Sequence, residues 1–122
     1  MEPLAILVSE NMMLASRAAE SLRELNYRVL DLRDPAALVA TARDQRPLFA
    51  VVDLAARTGD ACAAIEELKR DPDVKHVLVL AFGDPANELA FNCARQAGAD
   101  MVTPADAVAH YLPQLIDQLL AL

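Results

Sequence analysis

Tryptophan is absent from the 122 residues, aromatic side chains make up only 4%, and the three glycines include none before Gly59. The shortage of aromatics argues against the stacking platforms that bind single-stranded nucleic acids. Lysine is nearly missing too: of 11 basic side chains only Lys69 and Lys75 are lysines, against 18 acidic ones, for a net charge of −7. Nonspecific nucleic-acid binding and attachment to an anionic membrane both need a concentrated positive field, so neither is expected. The two cysteines, Cys62 and Cys93, lack zinc-ligand spacing, and the expectation is two reduced, buried thiols in a cytoplasmic protein. No run approaches the roughly 18 consecutive apolar residues of a membrane span, and residues 1–8 lack the charged start and long apolar middle of a signal peptide. A soluble intracellular protein is the expectation.

What is abundant is small and aliphatic. Alanine (24) and leucine (19) dominate a composition that is 55% hydrophobic and 24% charged, well inside the range of chains that fold. The length suits a single domain spanning residues 1–122. Leu4 to Val8 is a continuous apolar run, the mark of a strand covered on both faces. Leu14, Ala18, Leu22 and Leu25 then recur at helical spacing, with Asn26 as the stop. Residues 27–32 read as a second strand, and Asp34-Pro35 as the cap and first turn of a helix to about Gln45. Leu48 to Leu54 is a third strand carrying Asp53 near its end. Gly59-Asp60 opens a helix with Cys62, Ile65 and Leu68, which Asp71-Pro72 closes.

Val77 to Ala81 reads as the fourth strand, followed by a Gly83-Asp84-Pro85 turn and a helix with Leu89, Ala90, Cys93 and Ala97 on its apolar face and Gly98 as its cap. Met101 to Thr103 is a short fifth strand. Residues 108–122 form the last helix, with Leu112, Leu115, Ile116 and Leu119 inward and Pro113 in its first turns. Five strands alternating with five helices predict a parallel α/β sheet, doubly wound. The flavodoxin-like order 2-1-3-4-5 leads among such sheets, with its cleft at the carboxyl ends of the strands beside the switch point. Ser9, Glu10, Asp53, Ala81, Phe82 and residues 103–105 converge there. An Asp ending an apolar strand, facing another acid, needs a cation or hydrogen-bond donors to compensate it.

Together these residues resemble a bacterial response-regulator receiver domain of two-component, phosphorelay signalling. The resemblance spans the chain: the apolar first strand stepping into an acid (ILVSEN), Pro47 before LFAVVDL with Asp53 at the phospho-acceptor position, the VLVLA strand, and Ala97-Gly98-Ala99-Asp100 before the fifth strand. It implies that Asp53 accepts a phosphoryl group from a partner histidine kinase and that Glu10 and Asp53 hold a divalent cation, Mg²⁺. The cation would neutralise charge developing on the phosphoryl oxygens. It also implies that partners or a homodimer use the fourth helix, fifth strand and fifth helix. In the last helix, Tyr111, Leu112, Leu115, Ile116, Leu119, Leu120 and Leu122 make a stripe wider than one sheet contact requires.

Departures from the family pattern matter more. Ser9 stands where a second acid is usual, Ala81 where the fourth strand ends in a hydroxyl, and no lysine follows the fifth strand. That lysine position is Ala105 in an ungapped alignment from Gly98, or Thr103 if the strand is two residues shorter. Each lost charge-assisted hydrogen bond is worth about 1.5 to 3 kcal/mol, enough to shift a switching equilibrium roughly tenfold or more. The reading is therefore an atypical receiver, a pseudo-receiver acting by protein-protein interaction without conventional Asp phosphorylation and not an enzyme; the alternative is a working receiver phosphorylated on Asp53.

Each of these residues also has a simpler structural role open to it. Asp53 can be a partly solvated acid making local hydrogen bonds, and Glu10 a helix-start acid favoured by the helix dipole. Arg57 can swing over the cleft as an internal cation or lie in solvent. His76 and His110 read as surface or capping residues, and Met12 and Met13 as local packing. Flavin or nucleotide binding is not expected, because Glu10-Asn11-Met12-Met13 cannot cradle a phosphate as a Gly-rich loop does.

Overall fold

The computed structural model describes residues 2–55 and 60–122. Its elements are β1 (Leu4–Val8), α1 (Met12–Glu24), β2 (Arg28–Leu32), a 3₁₀ turn (Pro35–Ala37), α2 (Leu38–Gln45), β3 (Phe49–Asp53), α3 (Ala61–Arg70), β4 (Leu78–Gly83), α4 (Glu88–Ala97), β5 (Met101–Pro104) and α5 (Ala105–Leu120). The strands form one parallel sheet in the order β2-β1-β3-β4-β5, the doubly wound arrangement expected from the alternation. The turn out of α1 is made possible by Asn26, whose φ of 70° is left-handed.

Local chemistry places the helix starts. Asn11, Asp60 and Asn87 each accept a backbone N–H three residues on, from Leu14, Ala63 and Ala90, and so cap α1, α3 and α4. Asp34 caps the 3₁₀ turn ahead of α2, with Pro35 at its first position. Gly98 ends α4 at φ 106°, which a Cβ would strain.

Alternation along the strands splits the core into two layers. Ile6, Val8, Ala50, Val52, Val79 and Ala81 pack with Leu38, Ile65, Leu68 and Ala94 of α2, α3 and α4. Ala5, Leu7, Phe49, Val51, Leu80 and Phe82 pack with Ala18, Leu22, Leu112, Ile116 and Leu119 of α1 and α5. Ala is the main helical contact residue of α1, which lets that helix sit close to the sheet.

Four expectations are corrected. β4 continues two residues past Ala81, because Phe82 and Gly83 remain paired with β5 and buried. α5 begins at Ala105 rather than 108, directly after β5; its backbone leaves helical geometry at Tyr111, so Pro113 lies in the first turn of a second segment. Leu89 and Cys93 do not form the buried face of α4, which consists of Ala94 and Ala97; Leu89 is 84% exposed, Cys93 is exposed and Cys62 only half-buried. Met12 and Met13 lie in solvent. His76 and His110 are exposed, as expected.

Candidate functional site

The carboxyl ends of β1, β3, β4 and β5 meet in a cleft of about 350 Å³ lined by Asn11, Leu14, Asp53, Ala55, Gly83, Asp84, Pro85, Ala105 and Asp106. Asp53 closes β3, in register with Phe82 of β4. It follows Phe49 and Val51 on the sheet face toward α1 and α5, and Ser9 follows Leu7 onto that same face. Pairing of β1 beside β3 therefore brings Ser9 and Asp53 together although 44 residues separate them.

Asp53 is buried, at 6% exposure, yet its carboxylate is satisfied within the protein. The Ser9 hydroxyl donates to Asp53 Oδ2 at 2.8 Å, and the Ala55 amide donates to Oδ1 at 2.9 Å. The Ser9 oxygen in turn accepts the Asn11 amide at 3.1 Å. Fully buried Ser9 is thus the central link of a short chain running from the start of α1 to Asp53. Hydrogen bonds to the ionised form are the compensation that a buried carboxylate requires.

Glu10, beside Ser9, is half-buried. Thr103 is buried in β5 opposite Phe82, and Ala105 opens α5 at the cleft rim. Ala81 does not reach the cleft. It pairs with Val52, one step before Asp53, and belongs to the opposite core layer; the β4 residue at the cleft is Gly83. The end of β4 carries no side-chain hydroxyl in either case. Neither lysine reaches the cleft: Lys75 is exposed between α3 and β4. Lys69 is held at the far side of α3 and α4 by Val77 O at 2.8 Å and Asp100 Oδ2 at 2.7 Å. Arg57 lies outside the described residues.

Sequence reasoning missed three contributors. Arg33 donates to the Ser9 carbonyl at 3.3 Å and bridges to Asp31 at 3.6 Å, bracing the end of β1 from β2. Asp84 and Asp106 line the cleft beside Asp53. The signal for Asp84 was present in its turn sequence, Gly83-Asp84-Pro85, but misplacing the strand end hid its position.

With Ser9 where a second acid would stand, the described residues give a divalent cation a weaker ligand set. Among the described residues no three His, Cys, Asp or Glu side chains gather into a metal-binding group. Mg²⁺ demands near-ideal octahedral coordination by oxygen. Each Asp53 oxygen accepts one hydrogen bond, and the neighbouring Ser9 supplies a donor hydrogen where a carboxylate would supply charge.

Neither a family model nor a curated protein matches the sequence. Solved structures do match. A response regulator from Chloroflexus aurantiacus, described as putative, superposes with a TM-score of 0.89 at 16% identity over the full length of both chains. The receiver domain of a sensor histidine kinase from Pseudomonas aeruginosa, with a magnesium ion coordinated in its active-site cleft, gives 0.88 at 20% identity over both full lengths. A phosphorylated cyanobacterial phytochrome response regulator gives 0.84 at 18%, covering 98% of this chain and 95% of its own. The five-stranded flavodoxin-like sheet that joins Ser9 to Asp53 is thus the fold of response-regulator receiver domains.

Proposed function

We propose that this chain is an atypical receiver domain of two-component signalling, a protein-interaction module whose output does not depend on phosphorylation of Asp53. The observation that carries the reading is the Ser9 to Asp53 hydrogen bond, which satisfies the acid from within. Phosphoryl transfer relies almost entirely on positioned charge. Among the described residues the cleft is lined by acids and neutral groups, Asp53, Asp84 and Asp106 with Ala105 and Gly83, and by no lysine or arginine that would meet a phosphoryl group. Partners, a histidine kinase or an output protein, or a second copy, engage the α4, β5 and α5 face, to which exposed Leu89 and Tyr111 belong.

Incubation with acetyl phosphate and Mg²⁺, read by intact mass with Asp53→Asn as control, tests the reading. The expected result is no Asp53-dependent adduct. A stable phosphoryl adduct on the wild type, missing in the control, makes the chain a working receiver instead.

A further inference from the structure

The seam between α3 and α4 carries both cysteines. Ala61, Ala64, Ala94 and Ala97 are its buried side chains, small enough for the two helices to approach closely. The closeness is visible at Cys62, whose Sγ lies 3.9 Å from the Ala90 carbonyl of α4. Ala90 precedes Cys93 by just under one turn. A helical side chain leans back over the turn before its own Cα, so Cys93 projects toward the place where the Cys62 sulfur touches α4. Both cysteines line one cavity of about 360 Å³, together with Asp60, Glu66 and Gln96. Cys93 is exposed and Cys62 half-buried.

We propose that Cys62 and Cys93 are a redox modification site, closing to a reversible disulfide that staples α3 to α4 by exchange with a low-molecular-weight disulfide. The exposed Cys93 thiolate attacks one sulfur of the donor, whose S–S bond breaks and releases the first thiol. Cys62 then gives its proton to solvent and attacks the Cys93 sulfur, expelling the second thiol. Two electrons pass from the two cysteines to the donor, which leaves as two thiols. Burial, followed by hydrogen bonding to the Cys93 thiol, pushes Cys62 up to about 12, which makes it a slow first attacker and leaves entry to Cys93. The far end of the same seam is already tied, by the Lys69 stem against Gly98 and the Lys69 to Asp100 pair. A bond between Cys62 and Cys93 therefore adds a second tie, at the middle of α4, independently of Asp53.

The test incubates the full chain with oxidised glutathione and reads intact mass and peptide maps without reductant. The expected wild-type product has lost two hydrogens, yields a linked Cys62–Cys93 peptide, stays monomeric and returns to two free thiols with dithiothreitol. C62S should stop at one glutathione adduct on Cys93, while C93S should react at least tenfold more slowly than C62S. Accumulation of glutathione adducts or of intermolecular dimers on the wild type, without the internal bond, overturns the proposal. Equal rates for the two variants would overturn the assignment of Cys93 as the point of entry.

Discussion

At the scale of single residues, Asp53 depends on one hydroxyl, that of Ser9. Ser9→Ala removes the donor to Asp53 Oδ2 and leaves a buried carboxylate short of a partner, which should cost about 1.5 to 3 kcal/mol in urea unfolding. An unchanged midpoint would mean that the bond does not compensate Asp53. The acid itself was legible in the sequence, since a carboxylate ending an apolar strand stands out against its neighbours. Its partner was legible only as a position where a second acid was missing, because the hydrogen bond depends on β1 and β3 lying in register, and register is a tertiary property. Ala81 was misplaced for a related reason. Hydropathy alone does not separate the last strand residues from a turn containing glycine, and Gly83 stays in the ladder because its paired neighbours hold it there.

At the scale of elements, helix ends were the most legible features, because capping is local chemistry. Asp60→Ala should cost about 1 kcal/mol by removing the side-chain acceptor for the Ala63 amide, read as a lowered urea midpoint. Gly98→Ala combines a left-handed backbone with a Cβ only 3.0 Å from Lys69 Cγ, and should destabilise by more than about 1 kcal/mol. A neutral effect there would contradict both the backbone strain and the Lys69 contact as costs. The inward face of α4 was less legible. Leu89, Ala90, Cys93 and Ala97 fit helical spacing, but alanines at 94 and 97 suffice to meet the sheet, which leaves the larger Leu89 outside. In such an alanine-rich helix, spacing does not distinguish the buried face from its neighbour. The cysteines were misjudged through the same helix, since a residue's general tendency to be buried says nothing about which seam it borders.

At the scale of the whole molecule, the parallel sheet was readable from alternation, and the observed order was the leading one among the few topologies that parallel crossovers leave open. Long-range ties were not. Asp71, just past α3, binds Arg43 of α2 and accepts the Asp73 amide at 2.9 Å. The Asp73 amide first, aided by Arg43, holds the Asp71 carboxyl below its ordinary 3.8. A carboxyl lowered on folding contributes stability above its unfolded value and loses it as pH falls through the folded one. Asp71→Asn should therefore lower the unfolding midpoint at neutral pH, with the gap to wild type closing as pH drops below 3.8. A gap that persisted in acid would assign the loss to packing instead.

The central proposal, that Asp53 is satisfied from within and the cleft takes up no cation, is tested most directly by titrating the wild type with Mg²⁺ and following backbone amide NMR signals. No saturable shifts are expected at Ser9, Glu10, Asp53 or Ala55. Saturable, mutually consistent shifts at those four amides, abolished in Asp53→Asn, would contradict the proposal.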